Sequence, residues 1–201
     1  MSEENVTVEE TANTVEPESS DARAAQIEAL NKQAREHLAA NAWEGALDVY
    51  RQVLALQEEA GDVGGKAEAL NNIASVYLAR KEWALALETL EPARQMLQES
   101  GDQEAEATTL NNIASAYNGL GNWAEAAQIY EAALAIREAQ NDLEGQAKTL
   151  RNLAIIHVQH GNRARAKPYL EKALLLAKKA NSRELVGIIR ATISQLPKFR
   201  R

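Results

Sequence analysis

The chain has 201 residues, of which 45% are hydrophobic and none is cysteine, so disulfides and cysteine-based zinc sites are excluded. Its formal net charge is −7, and it has neither a run of about 18 apolar residues nor the basic, apolar start of a secretory signal. These features predict a cytoplasmic protein that does not insert into a membrane.

Residues 1–22 form an acidic segment that contains seven Asp or Glu residues and no Lys or Arg. With few large apolar residues it cannot bury enough surface to fold, so it is predicted to be a disordered tail. Without it, residues 23–201 carry 22 acidic and 22 basic residues, and this formal neutrality argues against non-specific nucleic-acid binding. The tail is interpreted either as a solubilising extension or as a ligand for a basic partner.

A 40-residue repeat occupies most of the remaining chain, without any insertion. A fixed period in this range indicates a solenoid, in which each unit buries its apolar face against its neighbours. Four units are predicted within an array at 23–196, near residues 30–69, 70–109, 110–149 and 150–189. Their matching segments start at Leu30, Leu70, Leu110 and Leu150.

Each unit is predicted to fold as a hairpin of two helices of about 16 residues, because apolar side chains recur with the period of a helix. In the third unit a second stripe starts at Trp123, and Asn122 before it is predicted to cap that helix. The turns between units are predicted at 61–62, 101–102, 141–142 and 181–182. The first stripe of the third unit is Leu110, Ile113, Ala114 and Tyr117.

These positions resemble the tetratricopeptide repeat (TPR) family, and the 40-residue period is similar to the extended variant of kinesin light chains and bacterial regulators. The resemblance implies an all-α, right-handed solenoid of four hairpins, and a non-enzymatic module that binds proteins. Arg163 departs from the pattern, since the other units have tryptophan at this position. The matching residues are Leu110, Ile113, Ala114, Tyr117, Gly121, Trp123, Ala126, Tyr130 and Ala133.

The ends of the array differ from its interior. In the first unit, Gln33 and His37 stand where the second unit has Ile73 and Tyr77, so this helix is expected to face water on one side. Residues 183–195 predict a further amphipathic helix that caps the last hairpin, and residues 197–201 form a basic tail. Two prolines inside predicted second helices, Pro92 and Pro168, are expected to bend them.

Catalysis finds little support, because no nucleotide-binding, hydrolase or zinc-protease motif occurs. His157 and His160 are three residues apart, but without a further ligand they are interpreted as structural residues. Hence neither an enzyme, nor a cofactor, nor a metal site is predicted. The three tryptophans at a spacing of 40 are predicted to pack in the core: Trp43, Trp83 and Trp123.

Asparagines recur inside the first helices of the units, where they reduce helix stability without contributing apolar packing. The family resemblance places this part of the helix on the concave surface, where a row of carboxamides binds a peptide backbone through its donors and acceptors. Hydrogen bonding between helices of the solenoid is the alternative role. The residues concerned are Asn71, Asn72, Asn111, Asn112 and Asn152.

Neighbouring side chains on the same face would make the groove basic at both ends, which suits an acidic peptide or a C-terminal carboxylate. The leading prediction is therefore an adaptor or scaffold that binds a peptide in this groove. The alternative is an assembly factor or regulator that uses its convex or end surfaces, as a monomer or a weak homo-oligomer. The neighbouring residues are Lys32, Arg35, Ser75, Ser115, Lys148 and Arg151.

Overall fold

The computed structural model describes residues 20–195, and within them nine α-helices follow one another with short turns between. This architecture confirms the prediction of an all-helical repeat solenoid. The helices are α1 (Ser20–Ala39), α2 (Trp43–Ala60), α3 (Val63–Ala79), α4 (Trp83–Ser100), α5 (Gln103–Gly119), α6 (Trp123–Ala139), α7 (Leu143–Gln159), α8 (Arg163–Lys179) and α9 (Arg183–Gln195).

Successive helices pack against each other along the whole array, and α9 packs on α8 after the fourth hairpin. The first helix of each inner hairpin begins seven residues before the leucine that marks the sequence repeat, so this leucine lies inside the helix. Because α1 begins at Ser20, residues 20–22 belong to the helix and not to the predicted tail. The rest of the acidic tail and the basic tail at 197–201 lie outside the described residues.

The core between the helices is built largely from alanine. Small side chains at the contact points let neighbouring helices approach closely, and alanine also has the highest helix propensity. The repeat therefore places a small residue wherever two helices meet. The same two alanine positions are fully buried in all four hairpins: Ala34, Ala74, Ala114 and Ala154 in the first helices, and Ala46, Ala86, Ala126 and Ala166 in the second.

Aspartates cap the first helices of the second, third and fourth hairpins. The carboxylates of Asp62, Asp102 and Asp142 accept hydrogen bonds from the backbone N–H three residues later, at 2.9, 3.0 and 2.8 Å. The predicted cap by Asn122 is wrong, because its side chain makes no such bond. Asn162, at the matching position before α8, does accept a hydrogen bond from the backbone N–H of Arg165, at 3.4 Å.

The outer face of α1 is polar, as expected for a terminal unit. Gln33 and Glu36 are exposed at the positions where α3 buries Ile73 and Val76. Only Ala34 is fully buried in α1. A further hairpin could gain little apolar burial against this face.

The tryptophans do not share one environment. Trp43 and Trp83 are half-buried, and the ring of Trp83 lies so close to Gly119 that a Cβ there would clash. Gln159 occupies the corresponding position of the fourth unit. Trp123 consequently stays 45% exposed and stacks on His160, with 5.0 Å between the ring centroids. The prediction of core packing is wrong for Trp123.

Both prolines lie inside their second helices, Pro92 in α4 and Pro168 in α8, and the helices continue through them. Since proline lacks a backbone N–H, each removes one helical hydrogen bond. The expected bend at these positions stays a prediction.

Candidate binding groove

The first helices line the inner side of the solenoid. Among them, α3 contacts α5 and α5 contacts α7, whereas second helices of neighbouring hairpins touch each other only sparsely. Helices on the inside of a curved stack lie closer together than those on the outside. The solvent-facing side of α3, α5 and α7 therefore forms the concave face. Together with α1 and α9, which hold the same place in the repeat at the two ends, we call this face the groove.

Three asparagines follow one another along the middle of the groove, one on each inner first helix. Asn72, Asn112 and Asn152 are half-buried, so their amides reach solvent from a restricted position. The Asn72 side chain has no hydrogen-bond partner among residues 20–195, which leaves its donor and its acceptor available. We call these three residues the front row. Lys32 and Thr192 occupy the same position at the two ends of the groove.

A second set of side chains lies one residue earlier, between the helices. Asn71 is 9% exposed, and its Nδ2 donates to the hydroxyl of Thr109 on α5 at 2.7 Å and to the backbone oxygen of Ala67 at 3.1 Å. Its Oδ1 accepts a hydrogen bond of 3.1 Å from Nδ2 of Asn112. Asn71 thus joins α3 to α5 and holds Asn112 of the front row in place.

The same arrangement recurs one and two units later. The Oδ1 of Asn111 accepts from the Thr149 hydroxyl at 3.1 Å, which joins α5 to α7. In the fourth unit Arg151 replaces asparagine, and its Nε donates to the Thr192 hydroxyl of α9 at 3.1 Å. We call Asn71, Asn111 and Arg151 the back row, because their hydrogen bonds connect neighbouring first helices and do not face the groove.

A hydroxyl from a second helix reaches the groove at Tyr130. Its OH lies 2.6 Å from Oγ of Ser115, and Asn152 of the front row also hydrogen-bonds to it. Burial raises the pKa of the Tyr130 phenol, while the bonds to Ser115 and Asn152 and the charge of Arg151 oppose part of this rise. The cluster fixes Asn152 from behind, as Asn71 fixes Asn112.

The predicted basic residues of the groove are present, but they do not stand alone. Lys32 and Arg35 are exposed on α1, and Arg35 lines an open cleft together with Glu28. Lys148 forms an ion pair of 2.7 Å with Glu144. Of the predicted serines, Ser75 is exposed and donates to the backbone oxygen of Asn72.

The sequence prediction missed a further column of exposed groove residues, which lies one helical turn before the front row. Two acidic side chains open this column, so the first half of the groove is mixed in charge and not simply basic. The signal was available in the sequence, since these residues share the 40-residue register. The missed residues are Glu28, Glu68 and Thr108, with Ile188 on α9, and they share their column with Lys148, which was predicted.

The histidines serve packing in the fourth unit. His157 stacks on Tyr169 with 5.5 Å between the ring centroids, and burial lowers its pKa. Among residues 20–195, no group of three or more histidine or acidic side chains is arranged to hold a metal ion. No helix in the same range is long and apolar enough to cross a membrane.

The family profile of the tetratricopeptide repeat matches residues 65–139 and 106–179, and the chain therefore belongs to this family. No curated protein sequence matches the chain. Among solved structures it resembles BtubC (BKLC) from P. vanneervenii, with a TM-score of 0.69 and 20% identity over 91% of this chain and 87% of that one.

Two further similar structures are longer proteins. Aspartyl phosphate phosphatase F from Bacillus subtilis has a TM-score of 0.73 and 19% identity over 84% of this chain, which spans 44% of its length. A Rap protein in complex with Competence and Sporulation Factor has a TM-score of 0.76 and 17% identity over 86% of this chain, which spans 48% of its length. Identities this low show a shared fold alone, so the phosphatase activity of the first protein does not carry over.

Proposed function

We propose that the groove binds an extended peptide segment of a partner protein, and that the front row grips the peptide backbone. The single observation that carries this proposal is the row of half-buried carboxamides at Asn72, Asn112 and Asn152, at least one of which has no partner within residues 20–195. A carboxamide in a helix interior reduces helix stability, and the fold makes no use of the Asn72 amide within residues 20–195, so a ligand would give this position its role.

The spacing of the row suits an extended chain. Packed helices lie about 10 Å apart, and an extended peptide rises about 3.3 Å per residue. One asparagine would therefore meet about every third peptide residue. Because a carboxamide both donates and accepts, it pairs with the N–H and C=O of any residue, so the grip tolerates different peptide sequences.

The charged groove residues supply the preference. Lys148 lies in the fourth unit and is exposed, whereas the exposed Glu68 lies in the second. Acidic residues of the peptide would therefore lie toward the fourth unit, and a basic residue would be favoured near Glu68. The Rap protein of similar fold, whose structure is a complex with a named factor, supports a binding role for such an array. A module of this kind acts as an adaptor or scaffold.

The test uses linear peptides selected from a displayed random library against the full chain, with affinities measured by fluorescence anisotropy. The triple variant Asn72→Ala, Asn112→Ala, Asn152→Ala should bind the selected peptides about 100-fold more weakly, because it loses three hydrogen bonds of about 1 kcal/mol each. Its circular dichroism should match that of the unmodified chain, since alanine favours helix.

A matched control removes three exposed carboxamides that lie in the second helices or directly before one: Gln52→Ala, Asn122→Ala and Gln128→Ala. This variant should bind as the unmodified chain does. If the front-row variant keeps its affinity, or if both variants lose it equally, the front row does not grip the peptide.

A further inference from the structure

The neutral average of the folded region conceals a strong separation of charge along the solenoid. Residues 20–142 contain nine Lys or Arg and 20 Asp or Glu, whereas residues 143–195 contain ten Lys or Arg and three Asp or Glu. The first three hairpins are therefore acidic, and the fourth hairpin with α9 is basic. A surface with this excess of one charge attracts a partner of the opposite charge.

Three of these cations line one open cleft of about 590 Å³ between the end of α8 and α9: Lys178, Arg183 and Arg190. Arg190 stands where the fourth unit has Leu150, which is 1% exposed. Inside the array, this position is apolar and packs against the next helix. On α9, the last helix, the same position carries a cation. We call Lys178, Arg183 and Arg190 the basic end.

The cations of the basic end are unpaired within the described part of the chain. Within residues 20–195, none of its three side chains forms an ion pair, although Lys148, Lys167 and Lys172 of the same region each pair with a glutamate. Val186 adds an apolar patch to the cleft wall. The basic end is therefore a cationic surface that remains open to an acidic segment.

An acidic segment of suitable length belongs to the chain itself. Residues 1–19 contain six glutamates and no basic residue, and they lie outside the described structure. They join the array at Ser20, on the hairpin furthest from α9. We propose that the basic end binds residues 1–19 of a second copy of the chain.

Binding within one chain is disfavoured by the route that the segment would take. The four steps between neighbouring first helices from α1 to α9 cover about 40 Å. A flexible 19-residue segment has an average end-to-end distance of about 25 Å, so it would have to stretch to about two-thirds of its full length and lose conformational entropy. That route also passes the exposed carboxylates of Glu28 and Glu68. A second copy meets neither restriction, and the resulting contact joins unlike surfaces head to tail.

The test combines a peptide assay with a mass measurement. A labelled synthetic peptide of residues 1–19 is titrated into a full chain in which the six tail glutamates are glutamine, so that the chain's own segment does not compete. We expect binding at about 20 mM salt that is lost at about 500 mM, where charges are screened within a few ångströms. In sedimentation velocity, the unmodified chain should associate with increasing concentration at low salt.

Two variants with the same loss of charge locate the contact. Lys178→Gln, Arg183→Gln, Arg190→Gln should weaken peptide binding about tenfold and abolish association. Arg163→Gln, Arg165→Gln, Lys167→Gln removes three exposed cations from the other end of α8 and should change both far less. Equal losses in the two variants would overturn the assignment to the basic end.

The remaining outcomes are also decisive. A chain that stays monomeric at every concentration in low salt would overturn the proposal of a second copy, even if the peptide binds, because the segment would then act within its own chain. A peptide that does not bind at low salt would overturn the proposal altogether and leave the basic end to a different acidic partner.

Discussion

Asn71 and Asn72 are neighbours on α3, yet their surroundings differ completely. Asn71 is nearly buried and uses its amide in three hydrogen bonds, two of them to side chains of α5. Asn72 is half-buried, and within residues 20–195 its side chain bonds to nothing. A helix turns by about 100° per residue, and this single step separates a structural amide from an available one.

The difference shows that the two adjacent asparagine positions of the repeat have different roles. The back row connects first helices and sets their spacing, while the front row presents amides at that spacing. In Asn112 the two functions meet, because its amide is held by Asn71 and still borders the groove. Side chains that are already held in place lose less conformational entropy when a ligand binds, which favours binding.

The largest expected effect is on stability. Asn71→Ala should lower the free energy of unfolding by about 2 to 3 kcal/mol, because the Thr109 hydroxyl and Asn112 lose their partner at a nearly buried position. Asn72→Ala should change it by less than about 0.5 kcal/mol, and in the stabilising direction, since alanine has the higher helix propensity. Urea unfolding followed by circular dichroism measures both.

The double variant Asn71→Leu, Thr109→Val controls for the volume that alanine leaves empty. It replaces both partners by apolar groups of similar shape, so it should recover much of the loss of Asn71→Ala. Equal stabilities of Asn71→Ala and Asn72→Ala would show that the two rows do not differ as described.

Much of the fold was predictable from the sequence, because a solenoid repeats one local solution. The spacing of Leu110, Ile113 and Ala114 is enough to predict the helices and the hairpins. The exception at Trp123 could not be predicted from the register, because its exposure depends on the residue that α7 places opposite it, Gln159 instead of a glycine.

The groove was predictable only in part. The sequence marks Asn71 and Asn72 together, but which of them faces a neighbouring helix depends on the rotation of α3 against α5. The bond between Arg151 and Thr192 gave no signal, because both residues differ from their counterparts in the other units. The charge separation was concealed by an average over the whole folded region.

A second effect, of about 0.5 to 1 kcal/mol, should appear as coupling between Asn111 and Thr149. The single variants Asn111→Leu and Thr149→Val each remove their hydrogen bond, so their effects on the free energy of unfolding should not add in the double variant. Asn112→Leu combined with Thr149→Val is the matched cycle, in which we expect additive effects. Additivity in both cycles would mean that the Asn111–Thr149 bond does not join α5 to α7.

The smallest effect should be confined to alkaline pH and should come from Tyr130, which supports Asn152 from behind. Burial raises the pKa of this phenol in the folded state. The unfolded chain therefore releases the Tyr130 proton at a lower pH than the folded chain does. The contribution of Tyr130 to stability is complete below about pH 10 and is lost as the pH rises through the pKa of the folded state. Between about pH 8 and 12, the free energy of unfolding should fall more steeply with pH for the unmodified chain than for Tyr130→Phe. Burial also raises the pKa of Tyr50, but Tyr50 is present in both chains. The difference between the two chains therefore reports on Tyr130. Parallel curves would show that the pKa of Tyr130 is the same in the folded and unfolded chain, which would contradict the burial of its hydroxyl.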